Sequence, residues 1–176
     1  MTVNEDFIRD KALKLLENLF GSDIPLPVDL RIVSKAVNAY VYCAEMPVDV
    51  SGFVYPPDGD VDKFLIGINS AKSRTHQHFT VAHEIWHIIN EGYGRMITLS
   101  SVINAVANTS YNLRRFERQA NIFASELLMP SFLIRYFVEK GLINLPDLCK
   151  SFGVSAHVME IRLFKELGYS KNYFYS

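Results

Sequence analysis

Residues 79–90 read Phe-Thr-Val-Ala-His-Glu-Ile-Trp-His-Ile-Ile-Asn. Wound as a helix, the stretch is apolar on most sides, with Val81, Ala82, Ile85, Trp86, Ile88 and Ile89 spread around the axis. A helix of that kind is buried, and any polar residue on it needs a partner. It nevertheless carries His83, Glu84 and His87. His83 and His87 are four apart, one above the other on one face. Two imidazoles so placed can bind one zinc ion (Zn2+) together, at roughly 2.0–2.1 Å per Zn–N bond. Glu84, next to His83, can reach a zinc-polarised water and take its proton without being a ligand. A bare H-E-x-x-H is only moderately specific, and the alternative role is a pair of core histidines bonded to backbone. The apolar surroundings favour the metal.

A catalytic zinc takes three protein ligands and keeps a fourth position open. A third His six residues beyond His87 is excluded, because Tyr93 stands there and Asn90 replaces the glycine of that pattern. A later helix supplies a better candidate. At about 100° per residue, Phe116, Ala120, Phe123, Ala124, Leu127 and Leu128 form its buried arc. Glu117 and Asn121 lie together at the arc's edge, with Asn121 placed to hold a ligand histidine from behind. Glu126 points to nearly the opposite side and reads as solvated. Two other readings stay open: Glu117 as a surface carboxylate paired with Arg114 or Arg118, and Glu91 as the third ligand.

Around these helices the pattern predicts a single α+β domain over residues 1–176. Asn4 to Phe20 is an amphipathic helix, and Val28 to Val37 a shorter one. Ala39–Ala44, Val50–Tyr55 and Phe64–Asn69 read as strands, giving a small antiparallel sheet of about three strands with a hairpin turn near Gly59. Helices follow at 72–90, 113–129, 131–140, 145–152 and 155–167, with 92–112 as a loop. Residues 144–168 resemble a helix-turn-helix, with Leu148, Phe152, Val154, Val158, Ile161 and Leu163 as its core. Glu160, Arg162, Lys165 and Glu166 nearly cancel there, which argues against a DNA-recognition helix and for a structural or docking role.

Phe79-Thr80-Val81-Ala82-His83-Glu84, Glu117-x-x-Ala120-Asn121-x-Phe123-Ala124 and Glu126-Leu127-Leu128-Met129-Pro130 together resemble the ImmA/IrrE family of bacterial zinc peptidases. The resemblance spans roughly residues 28 to 168. It implies His83, His87 and Glu117 as zinc ligands and Glu84 as catalytic base. It also implies a protein substrate, typically a helix-turn-helix repressor of a mobile element or stress response, and Phe64–Asn69 as a sheet edge for an extended substrate. Trp86 departs from the family's small residue and bears on cleft shape. That motivates the competing reading of a non-catalytic, zinc-containing anti-repressor. His76 and His78 stand where basic residues are common and read as polar residues of the helix's first turns. Tyr93, Tyr111 and His78 are all candidates for stabilising an oxyanion.

The bulk properties agree. Of 176 residues 49% are apolar, enough for a packed core. Lys plus Arg number 18 against 19 Asp plus Glu, which leaves no basic excess for nucleic acid. Cys43 and Cys149 read as reduced thiols. Met1–Asp10 lacks the apolar core of a secretion signal, and no apolar run reaches membrane-spanning length. The expected setting is the cytoplasm.

Overall fold

A computed structural model describes residues 5–58, 61–91, 98–99, 111–141 and 144–170. Helix α1 (Glu5–Phe20) buries Ile8, Ala12 and Leu16. Helix α2 (Leu30–Ala36) starts at Asp29, whose carboxylate accepts a hydrogen bond from Arg31 N. Three strands follow: β1 (Ala39–Ala44), β2 (Gly52–Tyr55) and β3 (Phe64–Asn69). Then come α3 (Arg74–Glu91), a two-residue strand β4 (Thr98–Leu99) and α4 (Tyr111–Leu128). The chain continues through α5 (Ser131–Glu139), α6 (Leu145–Phe152) and α7 (Ala156–Glu160), which runs on as a π-helical segment, Ile161–Glu166. This is an α+β fold.

The sheet is mixed, where an antiparallel one was expected. Its order is β1-β3-β2-β4. β3 pairs parallel with β1 and antiparallel with β2. The reason lies in burial. Four of the six β3 residues in a row, Ile66 to Asn69, are buried, whereas β1 is partly exposed throughout. A continuous apolar run belongs in the middle of a sheet, so β3 slots between the two strands that precede it. β3 therefore has neighbours on both sides and is not a free edge for a substrate. The hairpin joins β2 to β3 as expected, although Gly59 itself lies outside the described residues. β4 falls within the segment expected to be a loop and pairs with β2 through Phe53–Leu99 and Val54–Thr98; the rest of that segment lies outside the described residues.

One face of the sheet, with Val54, Ile66 and Ile68, is buried. A Cβ on Gly52 would come within 2.7 Å of Thr80 Cγ2, so β2 lies directly on α3. Asn69, fully buried, ties this region together. Its amide donates to the carbonyls of Met46, Pro47 and Val50, and its Oδ1 accepts from Ala71 N.

The C-terminal pair is built into the main core through Leu148, Phe152, Val154, Met159 and Leu163. Val158 and Ile161 are only half-buried. Glu126 corrects the helical-wheel reading: it is fully buried. Helix α4 is covered on that side as well, because Arg9 from α1 and Arg162 from the π-helical segment reach it. Glu126 Oε2 accepts from Arg162 Nη2 and from Arg9 at 3.1 Å, while Oε1 accepts from Ser131 N at 2.8 Å and starts α5. Arg162, equally buried, also donates to Met129 O at the end of α4 and to Glu166 at 2.6 Å. Arg162 thus points inward and is not available to a phosphate.

Burial alone would push the Glu126 carboxyl up, but Arg162 and the Ser131 N–H outweigh it and hold the carboxyl below its usual range. Its contribution to stability is therefore present above the unfolded-state value and lost as pH falls through the lower folded value. Urea unfolding should show wild-type stability falling below about pH 4.3, with part of that fall absent in Glu126→Gln. Arg162→Met, which leaves buried Glu126 with only Arg9 and the Ser131 N–H as partners, should cost about 3 kcal/mol at neutral pH.

Candidate metal centre

Helices α3 and α4 pack side by side and turn three polar side chains toward one another. His83 Nε2 lies 3.3 Å from His87 Nε2. Glu117 places Oε2 3.2 Å from His83 Nε2 and Oε1 3.5 Å from His87 Nε2. Both histidines are buried and Glu117 is partly so. Helical spacing explains the first pair, and Glu117 arrives from the edge of the apolar arc of α4, with Ala120, Phe123 and Ala124 buried beside it.

The donor chemistry fits a cation. His83 Nδ1 sits 3.0 Å from Asn121 Oδ1. That oxygen only accepts, so the ring proton resides on Nδ1 and Nε2 presents a lone pair. Glu117 Oε1 is buried and has no hydrogen-bond partner among the described residues. Lone pairs and a carboxylate crowded in a dry interior repel unless a positive charge joins them. Two tetrahedral donors at roughly 2.0–2.1 Å from one zinc stand about 3.3–3.4 Å apart, which the two imidazole nitrogens match at 3.3 Å; the Glu117 carboxylate offers one oxygen to each, Oε2 toward His83 and Oε1 toward His87. His83, His87 and Glu117 form the group able to hold a metal ion among the described residues. Burial pulls the pKa of His83 down, but Glu117, Glu84 and Asn121 outweigh it and raise it. The site therefore attracts positive charge.

Glu84 is fully buried in the turn that carries His83. Trp86, expected to bear on the cleft, is buried against Phe123, ring centroids 5.1 Å apart. It serves the α3–α4 contact. His76 is exposed and pairs with Ser51 Oγ at 2.9 Å. The ring of His78 lies 3.1 Å from Gly153 O and 3.2 Å from Val28 O, which pins the C-terminal turn to α3. Both histidines are thus engaged away from the donor group. Tyr93 and the side chains of Glu91 and Tyr111 lie outside the described residues. Arg118 pairs with Glu5 at 2.6 Å instead of Glu117.

A family model described as Peptidase_M78, IrrE N-terminal-like domain, matches residues 41–164. No curated protein matches the chain. Among solved structures, a Mycobacterium tuberculosis transcriptional regulator is similar in fold, with a TM-score of 0.57 at 17% identity over 91% of this chain and 50% of that one. The chain spans half the length of that regulator. No described helix is long and apolar enough to cross a membrane.

Two substitutions test the donor set. Glu117→Ala should abolish stoichiometric zinc in the purified protein, read by elemental analysis. Asn121→Leu, which leaves all three donors in place, should weaken zinc binding about 10–100-fold in competition with a chromophoric chelator.

Proposed function

The chain belongs to the Peptidase_M78, IrrE N-terminal-like family, and from that premise we propose that it is a zinc-dependent peptidase acting on a partner protein in the cytoplasm. The observation that carries this reading is the convergence of His83, His87 and Glu117, with Glu84 beside them. Zinc, when bound, supplies Lewis acidity at the scissile carbonyl and lowers the pKa of a water toward neutrality. His83, His87 and Glu117 hold the ion, and Asn121 keeps His83 in the tautomer that binds it. Glu84 is the general base. It takes a proton from the attacking water as the water oxygen bonds to the carbonyl carbon. It then returns the proton to the amide nitrogen as the C–N bond breaks, so one water is consumed and an acid and an amine are released. Burial keeps bulk water from screening this proton transfer.

The partner is a helix-turn-helix transcriptional repressor, as the resemblance to the ImmA/IrrE family implies, and its cleavage releases genes of a mobile element or stress response. The alternative is a non-catalytic anti-repressor that keeps zinc and sequesters the repressor. Trp86 motivated it, and with that ring buried on Phe123 the peptidase is the better-supported reading.

Glu84→Gln separates the two. The variant should keep about one zinc per chain and lose cleavage of the purified repressor, judged by gel and intact mass. Undiminished cleavage overturns the mechanism. Relief of repression by the variant, with no fragment produced, establishes the anti-repressor.

A further inference from the structure

The sheet has a second face, opposite Val54, Ile66 and Ile68, and it is not filled by the core. Strand register lays Tyr42, Gly67 and Phe53 in one row across it and Tyr40, Leu65 and Tyr55 in the next. Tyr40 is 61% exposed and Tyr55 36%. Tyr42 and Phe53 meet edge to face over Gly67, ring centroids 6.3 Å apart. A Cβ on Gly67 would lie 2.7 Å from the Phe53 ring and 3.1 Å from the Tyr42 hydroxyl, so glycine is what lets the two rings close over the middle strand. The result is a shallow aromatic platform among the described residues, with Tyr42, Phe53 and Leu65 half-buried and Tyr40 and Tyr55 exposed.

Charge indicates what covers it. From Ala39 to Lys63 the sequence carries Glu45, Asp49, Asp58, Asp60 and Asp62 against Lys63 alone, a balance of −4. The whole chain is at −1, so everything else sums to +3. Glu45 and Asp49 are exposed in the β1–β2 connection, and Asp58 and Asp62 in the β2–β3 connection. Exposed acids therefore lie at both ends of the strands, four carboxylates against Lys63 and Lys72, the latter bonded to Val48 O. A nucleic-acid phosphate is repelled there, and so is a second copy of the same face. Arginine and lysine are attracted twice, by the carboxylates and by the tyrosine rings.

We propose that the outer face of the β1-β3-β2 sheet is a docking surface for the basic face of a partner protein, separate from the His83–His87–Glu117 group on the other side of the sheet. A helix-turn-helix repressor has such a face where it grips DNA. In naming that partner the inference rests on the proposed function, but the docking itself does not require cleavage.

Binding is measured with the full-length Glu84→Gln protein, by fluorescence anisotropy. The probes are three labelled amphipathic peptides of about 15 residues that share a leucine face and differ in a Lys/Arg, Gln or Glu polar face. A labelled oligothymidine is the fourth probe. The Lys/Arg peptide should bind about tenfold more tightly than the Glu peptide. It should weaken in Tyr40→Ser and in the combined Glu45→Gln, Asp49→Asn, Asp58→Asn, Asp62→Asn protein, each with an unchanged circular dichroism spectrum. Equal binding of the Lys/Arg and Glu peptides, no peptide binding, or indifference to both variants overturns the proposal. Tighter binding of oligothymidine overturns it in favour of a base-stacking platform. Because Glu84 is replaced throughout, failure here leaves the peptidase reading standing, and failure of cleavage in wild type leaves the docking result intact.

Discussion

Two imidazole nitrogens and a carboxylate face one another across the α3–α4 contact at 3.2–3.5 Å, and much of the architecture serves that juxtaposition. Such a cluster is unfavourable in an apolar interior without a cation, so the helices must be held together by forces outside it. Trp86 on Phe123 provides one, an aromatic contact on the same helix pair. The sheet provides another, with β2 pressed on α3 at Gly52. His78 adds a polar tie between α3 and the turn at Gly153. Glu117 and Glu126 sit nine residues apart on α4, which puts them on opposite sides of the helix. One faces the donor group; the other is locked by Arg9 and Arg162. Helix α4 is thus gripped from both flanks.

The donor group was legible in the sequence because it depends on local geometry. His83 and His87 needed only helical spacing, while the phase of an apolar arc made Glu117 with Asn121 a candidate beside Glu91 and the family resemblance favoured it. Strand positions were legible for the same reason: Ala39–Ala44 and Phe64–Asn69 match the expected bounds. What was missed depends on contacts far apart in the chain. The Glu126–Arg162 pair joins positions separated by 36 residues, and nothing near Glu126 announces the arginine. The parallel pairing of β1 with β3 follows from which strand is most apolar relative to the others, a comparison that alternation within one strand does not make. Signals did exist: the unbroken run FLIGIN pointed to a central strand, and an acid within the apolar sequence Ala124–Met129 could have prompted a search for a basic partner.

The charges of this chain fall into two populations with different physics. Those inside form two groups, Glu126 and Glu166 shared between Arg9 and Arg162, and Glu84 and Glu117 gathered near the two histidines. Matching a buried carboxylate with a guanidinium adds little net stability over a well-packed apolar pair, because desolvation offsets most of the attraction. It does make the arrangement hard to replace by another, since any other packing leaves a charge unpaired. That suits a helix whose opposite face presents Glu117 to the two histidines. Some exposed charges pair as well, such as Arg118 with Glu5 and Lys14 with Asp10, but the overall balance of −1 conceals acidic strand connections and a basic remainder. The Arg9–Arg162–Glu126–Glu166 network sums locally to zero, so it adds little to the long-range field that the exposed charges set up. A charged partner would therefore meet the exposed carboxylates of the strand connections, while the donor group is set by buried residues that a partner's field scarcely reaches.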